Sequence, residues 1–331
     1  MFGIVTTMTL DQKERVSLNS IGRIFAIFAG IVTGILLPLV RQSLGGWATT
    51  VIVLSILSAA MMIPMCLFAK ERVIEREKAR DGGAEENYTL RDMVECLRSN
   101  KYLLIFFAAP LISSLLNIGA TWGLYIARYC LGGEEIASFV SMAVIVPTLI
   151  GAAIAVQLCK KYDKFKIFYF SYMFALILGI VRYIAGYENM MVYVILNALG
   201  GFPLGIAAIL QYQFTPDCYE YGQYKTGLKM RGVTFAAQTF FTKLNGAIAT
   251  AASVFALTLI GFKEGEGVIQ AAGFADKLWT FSCLGSIIGG IGTLLILRLY
   301  KLNDHDVQLM SKCNNGEITR EEAEAQMINR Y

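Results

Sequence analysis

Lys243 lies in the middle of a long apolar stretch, within AAQTFFTKLNGAIA, about ten residues and so ~15 Å from where that stretch begins. That is too deep for its ammonium to reach water comfortably along its own stem. At 100° per residue, Gln238, Thr239, Thr242, Lys243 and Gly246 fall within an arc of about 140° on one helix face, and Asn245 borders it. Amides and hydroxyls both donate and accept hydrogen bonds, so this stripe suits a ligand rich in hydroxyl groups. A polar contact between helices would use the same residue types. Arg23, in NSIGRIFAIFAG, stands a few residues inside another apolar run. It could face a ligand or reach back to the membrane surface. Arg128 and Arg182 fall near run ends, where snorkelling or interface anchoring is expected. Trp122, Tyr125 and Tyr129 suit an interfacial belt or a stack on a sugar ring.

Equally informative is what the apolar runs lack. No Asp or Glu lies in their interior, so the carboxylate that a cation-coupled carrier needs cannot come from these segments, and Lys243 and Arg23 have no acidic partner within them. An anionic ligand is the other way to meet them. The only histidine, His305, is close to the C-terminus, and the seven cysteines show no paired spacing, so no metal cluster or disulfide framework is indicated. There is no phosphate-binding GxxxxGK[ST] and no HExxH, and an enzyme is not expected. The glycines of LNALGGFPLGIAA, residues 196–208, sit beside Pro203 and suit a helix bend more than a phosphate cradle.

Composition explains how such residues are positioned. Of 331 residues 56% are hydrophobic and 16% charged, and the mean hydropathy is +0.54, against roughly a quarter charged in soluble domains. Apolar runs long enough to cross a ~30 Å hydrocarbon layer recur. They are predicted at 19–40, 47–69, 102–127, 136–159, 165–185, 189–213, 233–262 and 276–299. The fold class is therefore an all-α polytopic membrane bundle; a transmembrane barrel would need shorter, alternating segments.

With the N-terminus placed inside, Lys13 and Arg15, eight basic residues between Lys70 and Lys101, the Lys160–Lys166 cluster, Lys225, Lys229, Arg231 and the cations after the last run all fall on the inner side. Only Arg41, Arg128, Lys263 and Lys277 fall outside. The positive-inside rule thus predicts a multi-pass protein of the cell (inner or plasma) membrane with both termini cytoplasmic. The net charge of +4 reflects topology, and no nucleic-acid partner is expected. The hydrophilic stretch 70–101 divides the chain. Residues 1–69 read as the end of one transmembrane half, 70–101 as a central cytoplasmic loop, 102–300 as a six-helix half and 301–331 as a cytoplasmic tail.

The string PDCYEYGQYKTGLKMRG, residues 216–232, followed by AAQTFFTKLNGAIA, resembles the segment joining the tenth and eleventh helices of the glycoside-pentoside-hexuronide:cation symporters, the melibiose permease family within the major facilitator superfamily. TLDQKERVSLNSIGRIFAIFAG, residues 9–30, is similar to the approach to that family's fifth helix, and YTLRDMVECLRSNKYLL, residues 88–104, to the end of its central loop. The resemblance implies secondary active transport by alternating access, a small sugar or glycoside carried with Na⁺ or H⁺, in a chain lacking about the first four of twelve helices. It implies no other cofactor, and it places the cation's carboxylate ligands on those absent helices. Arg23, Gln238, Thr239 and Lys243 match sugar-site positions. Asp217 and Glu220, with Tyr221, Gly222, Lys225 and Gly227 of the same string, match a cytoplasmic motif for which a gating role is expected. The alternatives are a non-transporting sensor or scaffold, or an inactive fragment that keeps the fold.

Overall fold

A computed structural model describes residues 47–68, 90–116, 121–133, 135–229, 231–263 and 269–331, with six positions between 21 and 29. Arg23 lies outside the described residues. The chain divides into two units, Met1–Asn87 and Tyr88–Tyr331.

In the first unit, α1 (Trp47–Phe68) is apolar all round. Val51, Ile56, Met61 and Ile63 are exposed on it, as suits a helix surrounded by hydrocarbon.

The second unit begins with α2 (Leu90–Ser99), a strongly amphipathic helix inside the stretch expected as loop. Then come α3 (Lys101–Leu116), α4 (Gly123–Cys130), α5 (Glu135–Leu158), α6 (Lys164–Ala185), α7 (Met190–Leu210), α8 (Phe214–Thr226), α9 (Arg231–Leu259), α10 (Phe274–Leu297), α11 (Asp304–Asn314) and α12 (Arg320–Gln326). Among the described residues, α5, α6, α7 continuing into α8, α9 and α10 are long and apolar enough to cross a membrane, and α3 is a shorter apolar helix. Exposed side chains such as Phe170, Ile184, Leu204 and Phe255 are a liability in water and an asset in lipid.

Polar side chains at the right offsets set the helix ends. Asp163 accepts the amides of Phe165 and Lys166 to start α6, and Asn189 accepts those of Met191 and Val192 to start α7, each satisfying donors that a first turn leaves open. Gly227, at φ +75°, ends α8 in the left-handed conformation that glycine adopts without cost.

Packing bears on two sequence expectations. The glycines near Pro203 serve close approach: a Cβ on Gly205 would stand 2.0 Å from the carbonyl oxygen of Thr148, and one on Gly201 2.5 Å from that of Val144, so α7 lies against α5 as small residues permit in membranes. α7 is one helical segment with Pro203 inside it. Trp122 joins neither an interfacial belt nor a sugar site. It is fully buried with Leu278 and Cys283, and its indole N–H donates to Ser253 Oγ at 3.0 Å. Tyr125 and Tyr129 pack edge-on against Phe262.

Candidate functional site

The polar arc of α9 divides in two. Gln238 is buried and, with Thr242 and Asn245, lines a cavity closed by Phe106, Phe107 and Pro110 of α3, Phe241 and Gln211. Phe107 and Phe241 stack at 4.6 Å. The Asn245 Oδ1 is buried without a hydrogen-bond donor. A buried amide oxygen left this way costs free energy that a ligand hydroxyl would recover. The Thr242 hydroxyl donates to the Gln238 carbonyl at 2.8 Å and that of Thr239 to Phe235 at 3.1 Å, local bonds that exposed threonines make in helices. The cavity holds about 20 Å³, room for roughly one water and far below the roughly 300 Å³ at which ligand pockets begin.

Thr239 and Lys243 do not line that cavity. They lie on an exposed strip of α9 with Gly232, Ala236, Gly246, Ala247 and Thr250. No side-chain hydrogen bond or ion pair reaches Lys243 among the described residues. Twelve residues, or ~18 Å, separate it from the start of α9. An ammonium open to lipid at that depth costs at least ~2.5 kcal/mol, so a strip of small and polar residues there belongs against water or a polar partner.

The residues of the PDCYEYGQYKTG string form a second cluster, at the end of the bundle where α8 meets α2, α6, α11 and α12. Lys164 Nζ lies 2.9 Å from Asp217 Oδ2 and 3.2 Å from Asp304 Oδ1, with all three side chains less than a third exposed. The backbone N–H of Lys164 also donates to Asp304 at 3.0 Å, and that of Asp304 to Asp163 at 2.8 Å. Each carboxylate therefore caps the other's helix, and the positive ends of α6 and α11 can meet. The rest of the motif is engaged as well. Asn314 Nδ2 donates to Glu220 Oε2 at 2.9 Å. Asn100 Nδ2 donates to the Cys218 carbonyl at 2.6 Å, an approach that a Cβ on Gly222, 2.8 Å from that nitrogen, would block. Tyr221 is buried against Tyr102, ring centroids 4.8 Å apart. Lys225 Nζ donates to the Ser99 carbonyl at 3.4 Å.

The tail closes over this cluster. Asp306, fully buried, accepts from the amides of Ile328 and Asn329, the Tyr331 hydroxyl and Asn303 Nδ2 at 2.7–3.1 Å. Burial alone would raise its pKa, but these donors hold it below the ordinary carboxylate value. Tyr331 is pushed well above the ordinary tyrosine range, by burial first and by Asp306 second.

Residues 1–304 match the MFS/sugar transport protein family. The chain belongs to that family. The protein is accordingly a multi-pass membrane protein with a helical bundle, and this family's members are transporters, not enzymes. It is 25% identical over 287 residues to an uncharacterized symporter, YnaJ, of Bacillus subtilis, a match that covers 82% of the chain and 59% of that relative. It is 22% identical over 314 residues to the inner membrane symporter YicJ of Escherichia coli, covering 92% of the chain and 66% of the relative. A lactose permease of Lactobacillus delbrueckii subsp. bulgaricus is 23% identical over 270 residues, 78% of the chain and 42% of that protein. The chain thus spans about two thirds or less of the length of these relatives.

Sequence reading singled out one side of each site. Lys164 stood only as one inner-side cation in a cluster, and Asn100, Asp304 and Asn314 carried no signal, because their partners are 53–141 residues away and share no periodicity with them. Gln211 could not be assigned to the cavity, since it follows the end of α7.

Proposed function

We propose that this chain forms the substrate-handling core of a sugar symporter driven by Na⁺ or H⁺, working by alternating access in the cytoplasmic membrane with α8, α11 and α12 on the cytoplasmic side. The observation that carries this reading is the cavity between α3 and α9. Three carboxamides (Gln211, Gln238, Asn245) and one hydroxyl (Thr242) meet aromatic rings there, in the middle of a membrane helix, with one amide oxygen lacking a donor. Amides read sugar hydroxyls and aromatic faces pack on the C–H faces of a pyranose. The cavity is too small for a sugar as it stands, which fits a carrier whose site widens only when α9 moves away from α3. Thr239 and Lys243 then belong to the wall of the opened site, and Arg23 is kept as a sugar contact on the family resemblance alone. The base cluster around Lys164 and Asp217, with Glu220, Tyr221, Gly222, Lys225 and Gly227, is the element that holds the cytoplasmic side shut and must loosen as the site opens inward. Family membership and the symporter names of the relatives support the coupled, sugar-directed reading.

Uptake of a panel of radiolabelled glycosides into vesicles, with and without a Na⁺ or proton gradient, tests it. Gln238→Ala and Asn245→Leu should each raise KM by about tenfold, the loss of one buried hydrogen bond of about 1.4 kcal/mol. Uptake kinetics unaltered in both variants would refute the site.

A further inference from the structure

A second polar cluster lies far from the cavity, in the seam of α6, α7 and α10. Arg182 stands in the last turn of α6, ~27 Å along that helix from Lys164. In a span crossing a ~30 Å hydrocarbon core, that is close to the opposite headgroup layer. Position alone suggested a guanidinium snorkelling outward. Instead it turns into the seam: Nη1 donates to Asn197 Oδ1 at 3.2 Å, while the buried Nε has no acceptor among the described residues.

Nearby groups are also donors without acceptors. Trp279 and Ser282 of α10 are 4% and 1% exposed, and neither Trp279 Nε1 nor Ser282 Oγ has a partner. The Cys283 side chain lies within hydrogen-bonding reach of the guanidinium, and the rings of Tyr193 and Trp279 are 5.8 Å apart. Positions 279, 282 and 283 share one face of α10 by their spacing. Arg and Trp side chains can only donate. The carboxylate on this stretch of α10, Asp276, is engaged by the Tyr187 hydroxyl, and no ion pair reaches Arg182 among the described residues. A cationic donor cluster with no anion, inside a membrane helix bundle, is unsatisfied unless something brings an anion to it.

The surroundings indicate what that is. Arg182 is itself partly exposed, and the residues flanking it on α6, Val181 and Tyr183, are exposed, so the guanidinium stands at a rim of the seam that faces lipid. None of these residues lines the α3–α9 cavity. We propose that the α6–α7–α10 seam is a binding site for the phosphodiester of a membrane phospholipid. Arg182 is the principal ligand, its planar fork matching two phosphate oxygens, with Trp279 Nε1–H and the Ser282 hydroxyl as further donors. The bound lipid would tie α6 and α7 to α10 at the end of the bundle away from α8. This site is independent of which sugar is carried.

Native mass spectrometry of the 331-residue chain, delipidated in detergent and titrated with phosphatidylglycerol, tests this. One lipid should bind in preference to the rest, with occupancy falling about tenfold in Arg182→Gln, as expected for loss of a charge-assisted pair, and by a smaller factor in Trp279→Phe. Lys277→Gln, which removes an exposed cation on the first turn of α10, should leave occupancy unchanged. Equal occupancy in wild type and Arg182→Gln would overturn the proposal. Displacement of the lipid by millimolar inorganic phosphate would overturn the lipid assignment and leave a free-anion site. Trp279→Phe keeps the packed ring and deletes one N–H, so unchanged occupancy in that variant overturns the proposal even where Arg182→Gln fails to fold.

Discussion

Removing Lys164 should damage this protein more than removing either of its carboxylate partners. In Asp217→Asn the lysine keeps Asp304 at 3.2 Å, and the asparagine oxygen can still accept its hydrogen bond. What is lost is the charge assistance of one bond, about 2 kcal/mol. In Lys164→Ala both partners of the cation go at once, and two carboxylates less than a third exposed are left facing each other. Breaking a buried pair in this way costs about 3–5 kcal/mol. At roughly 2–4 °C per kcal/mol for a unit of this size, Asp217→Asn should lower the melting temperature in detergent by about 4–8 °C and Lys164→Ala by about 6–20 °C. Because the two act through one contact, the double variant should fall short of the sum of the singles. Thermal unfolding followed by intrinsic fluorescence, with scan rate held constant, measures all three. Equal shifts for Lys164→Ala and Asp217→Asn, or strict additivity in the double variant, would refute the view that one buried cation organises this end of the bundle.

Gly205→Ala should destabilise by about 1–3 kcal/mol, because the new Cβ meets the Thr148 carbonyl oxygen at 2.0 Å. Gly179→Ala, whose Cβ would find its nearest neighbour at 3.9 Å, should be neutral or stabilising, since alanine is the better helix former. Thermal melts of the pair decide it. The Asp306 pKa is lowered on folding, so its contribution is complete above the ordinary carboxylate value of about 3.9 and is lost only as pH falls through the lower folded value. Protease resistance of residues 301–331 should therefore hold from pH 8 to 5 and fail only below about pH 4, whereas Asp306→Asn should expose the tail at neutral pH. Cleavage of the wild-type tail beginning near pH 6 would contradict this. Gly227→Ala should cost about 1–2 kcal/mol for a left-handed residue bearing a Cβ, measurable as a lower melting temperature.

The sequence by itself determined that this chain lives in a membrane as a helical bundle, because a run of about 20 apolar residues has one stable fate in lipid and its length is written locally. The apolar runs 165–185 and 189–213 also came close to the starts of α6 and α7, because the caps at Asp163 and Asn189 that set those starts act within a few residues. Periodicity also placed Gln238, Thr239, Thr242 and Lys243 on one arc. Only the tertiary structure divided that arc, burying Gln238 against α3, setting Thr242 at the exposed edge of the cavity and leaving Thr239 and Lys243 outside it on an exposed strip, because which part of a helix face meets a neighbour depends on where the neighbour is. Likewise the pairing of Lys164 with Asp217, the fit of Gly205 against Thr148 and the inward turn of Arg182 join residues far apart in sequence or depend on a side chain's direction. Charge, size and spacing say what such residues need, and only packing says what they meet.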